Sequence, residues 1–342
     1  MRLLLKMLLV IGLTIAIMIP LTMIRGTIGE RQGFRAQAID SIARSFAGAQ
    51  ALSGPVLVVP YVETVELEER NSRGEVVRKV KRDGAAGRWT FFPDSLDLQG
   101  KLIPNTRRLG LHEVRVYELQ AIANARLTAR IPVDENPELP RKIGRPWLSY
   151  GIADVRGLAG MPLLRIEGRE VELQEGFGSR EGGGVHVRLA APKAGATLQL
   201  SARLDVQVGG TELLALVPLA RSNVAKLESS WPHPRFGGDF LPRKLHVSDE
   251  GFSAQWEVSS LASSAQAQFL AGKNLPSFEE SMLESRYADD HAAVTSDGID
   301  AVAVALVDPV NIYSKADRAT KYALLFVLLT FVGFFMFELI KQ

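Results

Sequence analysis

The chain of 342 residues contains no cysteine. That excludes disulfides, thiolate zinc sites and iron–sulfur clusters. It does not identify the compartment, because a periplasmic protein can have none. An excess of one charge is also missing. Lys and Arg number 40 against 38 Asp and Glu, for a net charge of +2, so nucleic acid is not expected as a partner. Signatures of chemistry are scarce. The five histidines (His112, His186, His233, His246 and His291) show no i,i+4 metal spacing, and HExxH does not occur. Asp289-Asp290-His291 reads as a solvated loop. GxxxxGK[ST], GxSxG and SxxK are absent, so neither a phosphate cradle nor serine acyl transfer is evident. No metal, cofactor or catalytic residue is expected, and no internal repeat stands out. Charged residues make up 23%, an ordinary globular value. Mean hydropathy is only +0.07, so any apolar excess must be local.

Two such excesses lie at the two ends. Met7 to Ile24 carries no charge and is framed by Arg2, Lys6 and Arg25. Eighteen helical residues rise about 27 Å, close to the ~30 Å hydrocarbon core once flanking basic side chains snorkel. The run is long for a signal peptide, and no small-x-small site follows Ile24, so it reads as an uncleaved anchor. Tyr322 to Phe337 is apolar on every side, between Lys321 and Glu338. That pattern fits a second span better than an amphipathic core helix. Two spans place both termini on one side. Lys and Arg flank both spans on the side of the middle segment, so local charge leaves the orientation open, although long domains translocate largely regardless of charge.

The middle segment opens with a helical pattern over residues 29–51, where Phe34, Ala38, Ile39, Ile42, Ala43 and Phe46 recur at three- and four-residue spacing. Gly54-Pro55 ends it. Beyond it the pattern is β. Val56–Val59 is a buried-type run. Val62–Glu68 pairs with Val76–Lys81 across a turn cluster at Asn71-Ser72-Arg73-Gly74. Leu198–Val208 alternates strictly, apolar on one face and polar on the other, as in an antiparallel sheet with one wet face. Gly209-Gly210 then predicts a hairpin to Leu213–Val217. Further strands are expected at Trp89–Phe92, Val114–Leu119, Ala125–Ile131, Leu163–Ile166, Val185–Leu189, Phe252–Val258 and Val302–Val307. Glu135–Pro140 is a loop, and Gly-rich Glu175–Gly184 is a flexible hairpin tip. The expected fold is mainly β: a large antiparallel sheet or sandwich between two transmembrane helices. Its length of about 290 residues, large beside the typical domain, suggests two lobes. The domain boundaries are 1–24, 25–320 and 321–342.

Trp231 to Pro242 is the oddest segment, with three aromatics, three prolines and two glycines in twelve residues. Proline fixes φ and removes donors, so an irregular but stiff backbone is expected. Trp231, Phe236 and Phe240, with His233, form either a fold-locking corner or a binding loop for an envelope ligand or partner.

These segments together resemble one family. GPVLVVP at Gly54–Pro60, FPDSL at Phe92–Leu96, WPHPRF at Trp231–Phe236, GDFLP at Gly238–Pro242 and DRATKY at Asp317–Tyr322 are similar to the CreD family of bacterial inner-membrane proteins. The resemblance runs from the first span to Glu338. It implies a periplasmic domain between the first two spans, and a link to cell-envelope integrity, to a two-component sensor–regulator pair, to colicin tolerance and to the β-lactam response. It implies no enzymatic reaction and no catalytic residue. The expected partners are the lipid bilayer and an envelope protein or lipid. Family members usually continue into several further spans, so the chain reads as truncated after its second span. The competing expectation is an enzyme or transport component whose active part lies in those spans.

Overall fold

The computed structural model describes residues 2–71, 76–178, 183–275, 298–306 and 312–340. It divides into two compact units, Met1–Ser41 with Asp308–Gln342, and Ile42–Val307.

In the first unit, helix α1 (Arg2–Ser45) runs unbroken through Pro20 and on into its last turn, which belongs to the second unit. The lead-in helix expected over 29–51 is therefore the continuation of α1, and it stops at Ser45. Gly26, Gly29 and Gly33 weaken a helix but keep their N–H donors, so the i→i−4 ladder continues past them. The end is set by the sheet, which takes up the chain from Gln50. In α1, the hydroxyls of Thr22 and Thr27 donate to the carbonyls of Ile19 and Met23, which satisfies each locally. The C-terminal helix, Ile312–Ile340, is named α3 below. Leu8, Leu9, Ile15, Ile19 and Met23 on α1, and Leu325, Phe326, Leu329, Phe334 and Phe337 on Ile312–Ile340, are all exposed. Among the described residues, α1 is long and apolar enough to cross a membrane, and α3 carries a shorter apolar stretch, Leu325–Phe334.

The second unit is built from two sheets. Sheet A takes β1 (Gln50–Arg70), β2 (Val76–Phe91), β5 (Lys142–Ile143), β6 (Trp147–Ile152), β9 (Gln174–Glu175), β10 (Gly184–Arg188), β12 (Leu213–Val217), β14 (Pro234–Gly238) and β17 (Val302–Leu306). Its main order is β14-β17-β12-β1-β6-β10-β9, with β2 and β5 also on β1. Sheet B takes β3 (Ser95–Leu109), β4 (His112–Arg130), β7 (Leu163–Ile166), β8 (Arg169–Val171), β11 (Thr197–Thr211), β13 (Ser222–Ser229), β15 (Lys244–Ser248) and β16 (Gly251–Ser259). Its order is β15-β16-β13-β3-β4-β11-β7-β8. Pairing is antiparallel except for β1 with β12 and β3 with β13. Helix α2 is Ala265–Leu270.

The inward faces of both sheets share one core. Leu57, Val59, Leu148, Ile152, Leu214 and Val304 of sheet A meet Leu98, Leu119, Leu127, Leu204, Val206 and Trp256 of sheet B. The two lobes expected from length are instead two sheets of one unit. Sheet A also buries its other face, under a second cluster with Trp147, Phe177, Leu213 and Phe269 of α2. Its strands β6, β12 and β17 are accordingly buried at every residue. Sheet B buries one face only, and β4 and β11 alternate along most of their length. A doubly covered strand needs a continuous apolar run, whereas a half-covered one needs alternation.

Three local expectations change. Val114–Leu119 and all of Ala125–Ile131 but its last residue belong to one strand, β4, because Gln120–Asn124 keeps the same alternation with alanines. Gly209 and Gly210 make no hairpin; both lie in β11, and the chain leaves sheet B at Glu212 (φ 57°) to enter sheet A as β12. Their lack of a side chain admits large neighbours instead. A Cβ on Gly209 would stand 2.6 Å from the Phe46 ring, and one on Gly210 would stand 2.4 Å from Tyr117 Oη. Val62–Glu68 does pair with β2, but Gly54-Pro55 lies inside β1 and does not precede it. Of the expected turn, Ser72, Arg73 and Gly74 lie outside the described residues, as do Ser179–Gly182 of the Gly-rich loop, Asp289-Asp290-His291 and Val307.

Candidate functional site

The Trp231 segment carries the chain from sheet B to the edge of sheet A. Contrary to the irregular backbone expected, Pro234–Gly238 forms a strand, β14, paired antiparallel with β17. Proline is tolerated because Pro234 opens an edge strand. Gly238 holds φ 78°, and a Cβ there would stand 2.2 Å from the Ala301 carbonyl. Phe236 meets Phe252 and Trp256 edge-on, at 5.5 and 5.7 Å between ring centroids. The Phe240 carbonyl accepts the Trp256 indole N–H at 3.2 Å. Trp231 is half-buried under the Arg115 guanidinium, 4.7 Å from the ring centroid, and its indole N–H donates to the His233 carbonyl at 2.9 Å. The three aromatics thus pack against the main core, while His233 stays exposed. Since Trp231 is only half-buried, Trp231→Ala should cost about 1–2 kcal/mol, from one hydrogen bond and one cation–π contact. The full cost of about 3–5 kcal/mol for a buried aromatic is not expected there. Thermal unfolding of the full chain in micelles checks this.

Where α1 meets the sheets, side chains lock the entry. Gln50 is fully buried; its amide N–H donates to the carbonyls of Asp154 (2.8 Å) and Gly209 (2.9 Å), and its carbonyl accepts the Asp154 N–H (3.2 Å). Thr211 Oγ1 donates to the Ala47 carbonyl at 2.6 Å. Arg156 bonds both carboxylate oxygens of Asp154 and reaches the Arg44 carbonyl in the last turn of α1 at 3.0 Å, a C-terminal cap by a cation. The Arg156 bond, backed by the Gly48 and Arg156 backbone N–H groups, holds the Asp154 carboxyl below its ordinary range against the opposing effect of burial. A depressed folded-state pKa stabilises above the ordinary value of ~3.9, and that stabilisation is lost as pH falls through the folded value. The melting temperature should therefore fall less on acidification below about pH 4 in Asp154→Asn than in the unaltered chain.

Three buried polar atoms among the described residues have no partner: Ser53 Oγ, Tyr150 Oη and His186 Nε2. The Tyr150 side chain lies in the shared core, on a cavity of about 60 Å³ also lined by Ala121, Ala123, Val206 and Trp256. Burial pushes its hydroxyl pKa up. His186 lies against the Gly176 carbonyl, 2.9 Å from Nδ1, so Nδ1 is the donor of that contact. Sequence reading treated His186 as an ordinary strand residue and missed Ser53 and Tyr150, because a buried hydroxyl has no signature in strand patterning. No group of three or more His, Cys, Asp or Glu is placed to hold a metal among the described residues.

A wide concavity lies elsewhere, on the outer face of sheet B. It measures about 730 Å³ and crosses β13, β3, β4 and β11, with one wall from the segment leading into β7. Gln99, Gln120 and Gln207 line it with Lys101, Lys226, Glu228, Arg203 and Asp205, beside Ile122, Met161 and Leu163. Its charges pair in place: Arg203 with Asp205 at 3.0 Å and Lys226 with Glu228 at 2.7 Å, while Arg165 reaches Asp205 at 3.2 Å. A second concavity of about 360 Å³ shares Arg203 and continues along the sheet past Ser95, Asp97, Asn124, Arg126 and Ser201. Ser201, Arg203, Asp205 and Gln207 belong to the wet face expected of Leu198–Val208, and alternation does not say whether a wet face is flat or hollow.

The comparisons with known proteins agree with the family resemblance. Two solved structures share part of the chain at low similarity: an M1 zinc metallopeptidase from Deinococcus radiodurans (10% identity, TM-score 0.27, 49% of this chain and 38% of that one) and leukotriene A4 hydrolase from Saccharomyces cerevisiae (12%, 0.28, 49% and 27%). At such scores neither bears on the chemistry of this protein. The family model described as inner membrane protein CreD matches residues 2–342. Inner membrane protein CreD of Escherichia coli K12 is 30% identical over 343 residues, covering 97% of this chain and 68% of that protein. The chain belongs to the CreD family of inner-membrane proteins.

Proposed function

We propose that this protein supports the integrity of the cell envelope by binding, not by catalysis, through a β-rich domain held outside the inner membrane between two spans. The spans are Met7–Ile24 and Tyr322–Phe337, and residues 25–320 lie in the periplasm. The observation that carries the binding reading is the hollow outer face of sheet B. Four of its five ionic groups are paired to one another instead of converging on a point, and a catalytic pocket needs convergence of ionisable groups on the reacting atom. The competing reading is an enzyme or transport component whose active part lies beyond the described domain. Within the described domain, the two unpartnered ring-bearing groups do not converge: Tyr150 Oη belongs to the inter-sheet core, and His186, which follows the inward-facing Val185, lies on the opposite face of sheet A.

A reporter active only in the periplasm, fused after Gly151, is expected to be active, and the same fusion of a cytoplasm-dependent reporter is expected to be silent. The opposite pattern would reverse the topology.

A further inference from the structure

We propose that the hollow outer face of sheet B receives an uncharged glycan chain. This deepens the binding reading above and rests on it. Four features of the groove select the ligand.

First, the floor is the middle of a sheet. The backbone groups of β13, β3, β4 and β11 are spent on one another in continuous ladders. An extended peptide adds to a sheet through its edge, where backbone donors are open. Here only side chains face the ligand. Second, charge is mixed in sign. Over the two concavities Lys101, Arg126, Arg165, Arg203 and Lys226 stand against Asp97, Asp205 and Glu228, five cations to three anions, and five of these eight are joined locally, Arg203 and Arg165 with Asp205 and Lys226 with Glu228. Such a surface has no strong field for a polyanion or a polycation. Third, Gln99, Gln120 and Gln207 set three amides across the floor. Gln99 and Gln120 donate to Asp97 (3.4 Å) and Glu118 (3.2 Å) through one N–H each, and an amide still has a second N–H and its carbonyl lone pairs. Neighbouring hydroxyls of a sugar, each both donor and acceptor, match such forked groups. Fourth, one wall is apolar. Met161 is 82% exposed and stands beside Ile122, Leu163 and Ala159, a surface for the C–H face of a pyranose ring. The two concavities that share Arg203, of about 730 and 360 Å³, offer room for several linked units, since a drug-sized ligand takes about 300–1,000 Å³.

The test uses the full chain in a detergent without a sugar headgroup. Because the chain has no cysteine, Lys101→Cys introduces a unique thiol for an environment-sensitive dye at the groove rim. Maltohexaose and chitohexaose are the neutral probes; polyglutamate and a neutral hexapeptide are the controls. At least one hexasaccharide is expected to give a saturable response that changes less than twofold between 50 and 500 mM salt, because an uncharged ligand is not screened (~50 and ~500 mM bracket the Debye lengths of interest). The double change Gln120→Ala, Gln207→Ala is expected to weaken it at least tenfold at an unchanged melting temperature, and Met161→Glu to do the same. Silence with both sugars, or a response only to polyglutamate or only to the peptide, overturns the glycan assignment. A sugar response that survives both sets of substitutions overturns it too, by moving the site elsewhere. If the sugars fail while a groove thiol still forms adducts in cells, the glycan falls and the binding reading stands. If neither occurs, both fall.

Discussion

Trp256→Ala is expected to destabilise the second unit by about 3–5 kcal/mol. The indole is 1% exposed and joins the two halves of the Trp231 segment to sheet B. Its N–H holds the Phe240 carbonyl at 3.2 Å, and its ring takes the edge of Phe236 at 5.7 Å. Removal enlarges a cavity that the indole already lines, and a residual cavity adds its own cost to the lost transfer energy. For a unit of this size each kcal/mol moves the melting temperature by about 2–4 °C, so a fall on the order of 10 °C is expected. Trp256→Phe should recover most of the packing but not the hydrogen bond. A fall of only a degree or two in Trp256→Ala would mean that the Trp231 segment is held by something other than this anchor.

The second large effect is expected at the entry to the domain. Gln50→Leu keeps the volume of a fully buried side chain and removes three hydrogen bonds. The Asp154 N–H and the Gly209 carbonyl then lose this partner in a site with no room for a substitute, while the Asp154 carbonyl keeps only the Gly157 N–H at 3.2 Å. A Cβ on neighbouring Gly157 would already stand 2.2 Å from the Gly209 carbonyl and 2.5 Å from the Gln50 amide nitrogen. An unsatisfied buried polar group costs about 1–3 kcal/mol, so a loss of about 3 kcal/mol or more is expected. Gln50→Glu should be worse, since it replaces a donor with a buried charge. Melting of the full chain in micelles reads both variants, and an unchanged melting temperature for Gln50→Leu would show that the Gln50 bonds do not secure the entry.

The sheets were legible in the sequence wherever burial is one-sided. The alternation from Leu198 to Val208 appears in the structure with its apolar set inward, and Leu163–Ile166 has the predicted bounds. Burial on both faces also left a trace, in Val56–Val59 and Val302–Leu306. Which strands pair was not legible. The parallel contacts of β1 with β12 and of β3 with β13 join segments more than 100 residues apart, and local patterning carries no information about such partners. Gly209-Gly210 misled because its composition is that of a turn, while its role is to make room for Phe46 and Tyr117. In the Trp231 segment the sequence left a fold-locking corner and a binding loop both open, and the pairing of β14 with β17 could not be read, since proline argues against a strand everywhere except at an edge. The groove on sheet B was invisible for a different reason. Curvature comes from twist and from neighbouring walls, and Gln120 or Arg203 on a flat sheet would have the same sequence.

Single cysteines give the most direct test of the claim that this protein acts by binding through that groove. Gln120→Cys lies on its floor and Leu261→Cys, at a residue 98% exposed and outside the groove lining, serves as the control. In intact cells treated with a membrane-impermeant thiol-reactive reagent that carries a photoactivated diazirine, Gln120→Cys is expected to form discrete adducts on illumination that disappear when Met161→Glu is added, while Leu261→Cys forms none of them. Identical patterns at both positions, or adducts at Gln120→Cys that persist with Met161→Glu, would contradict the account.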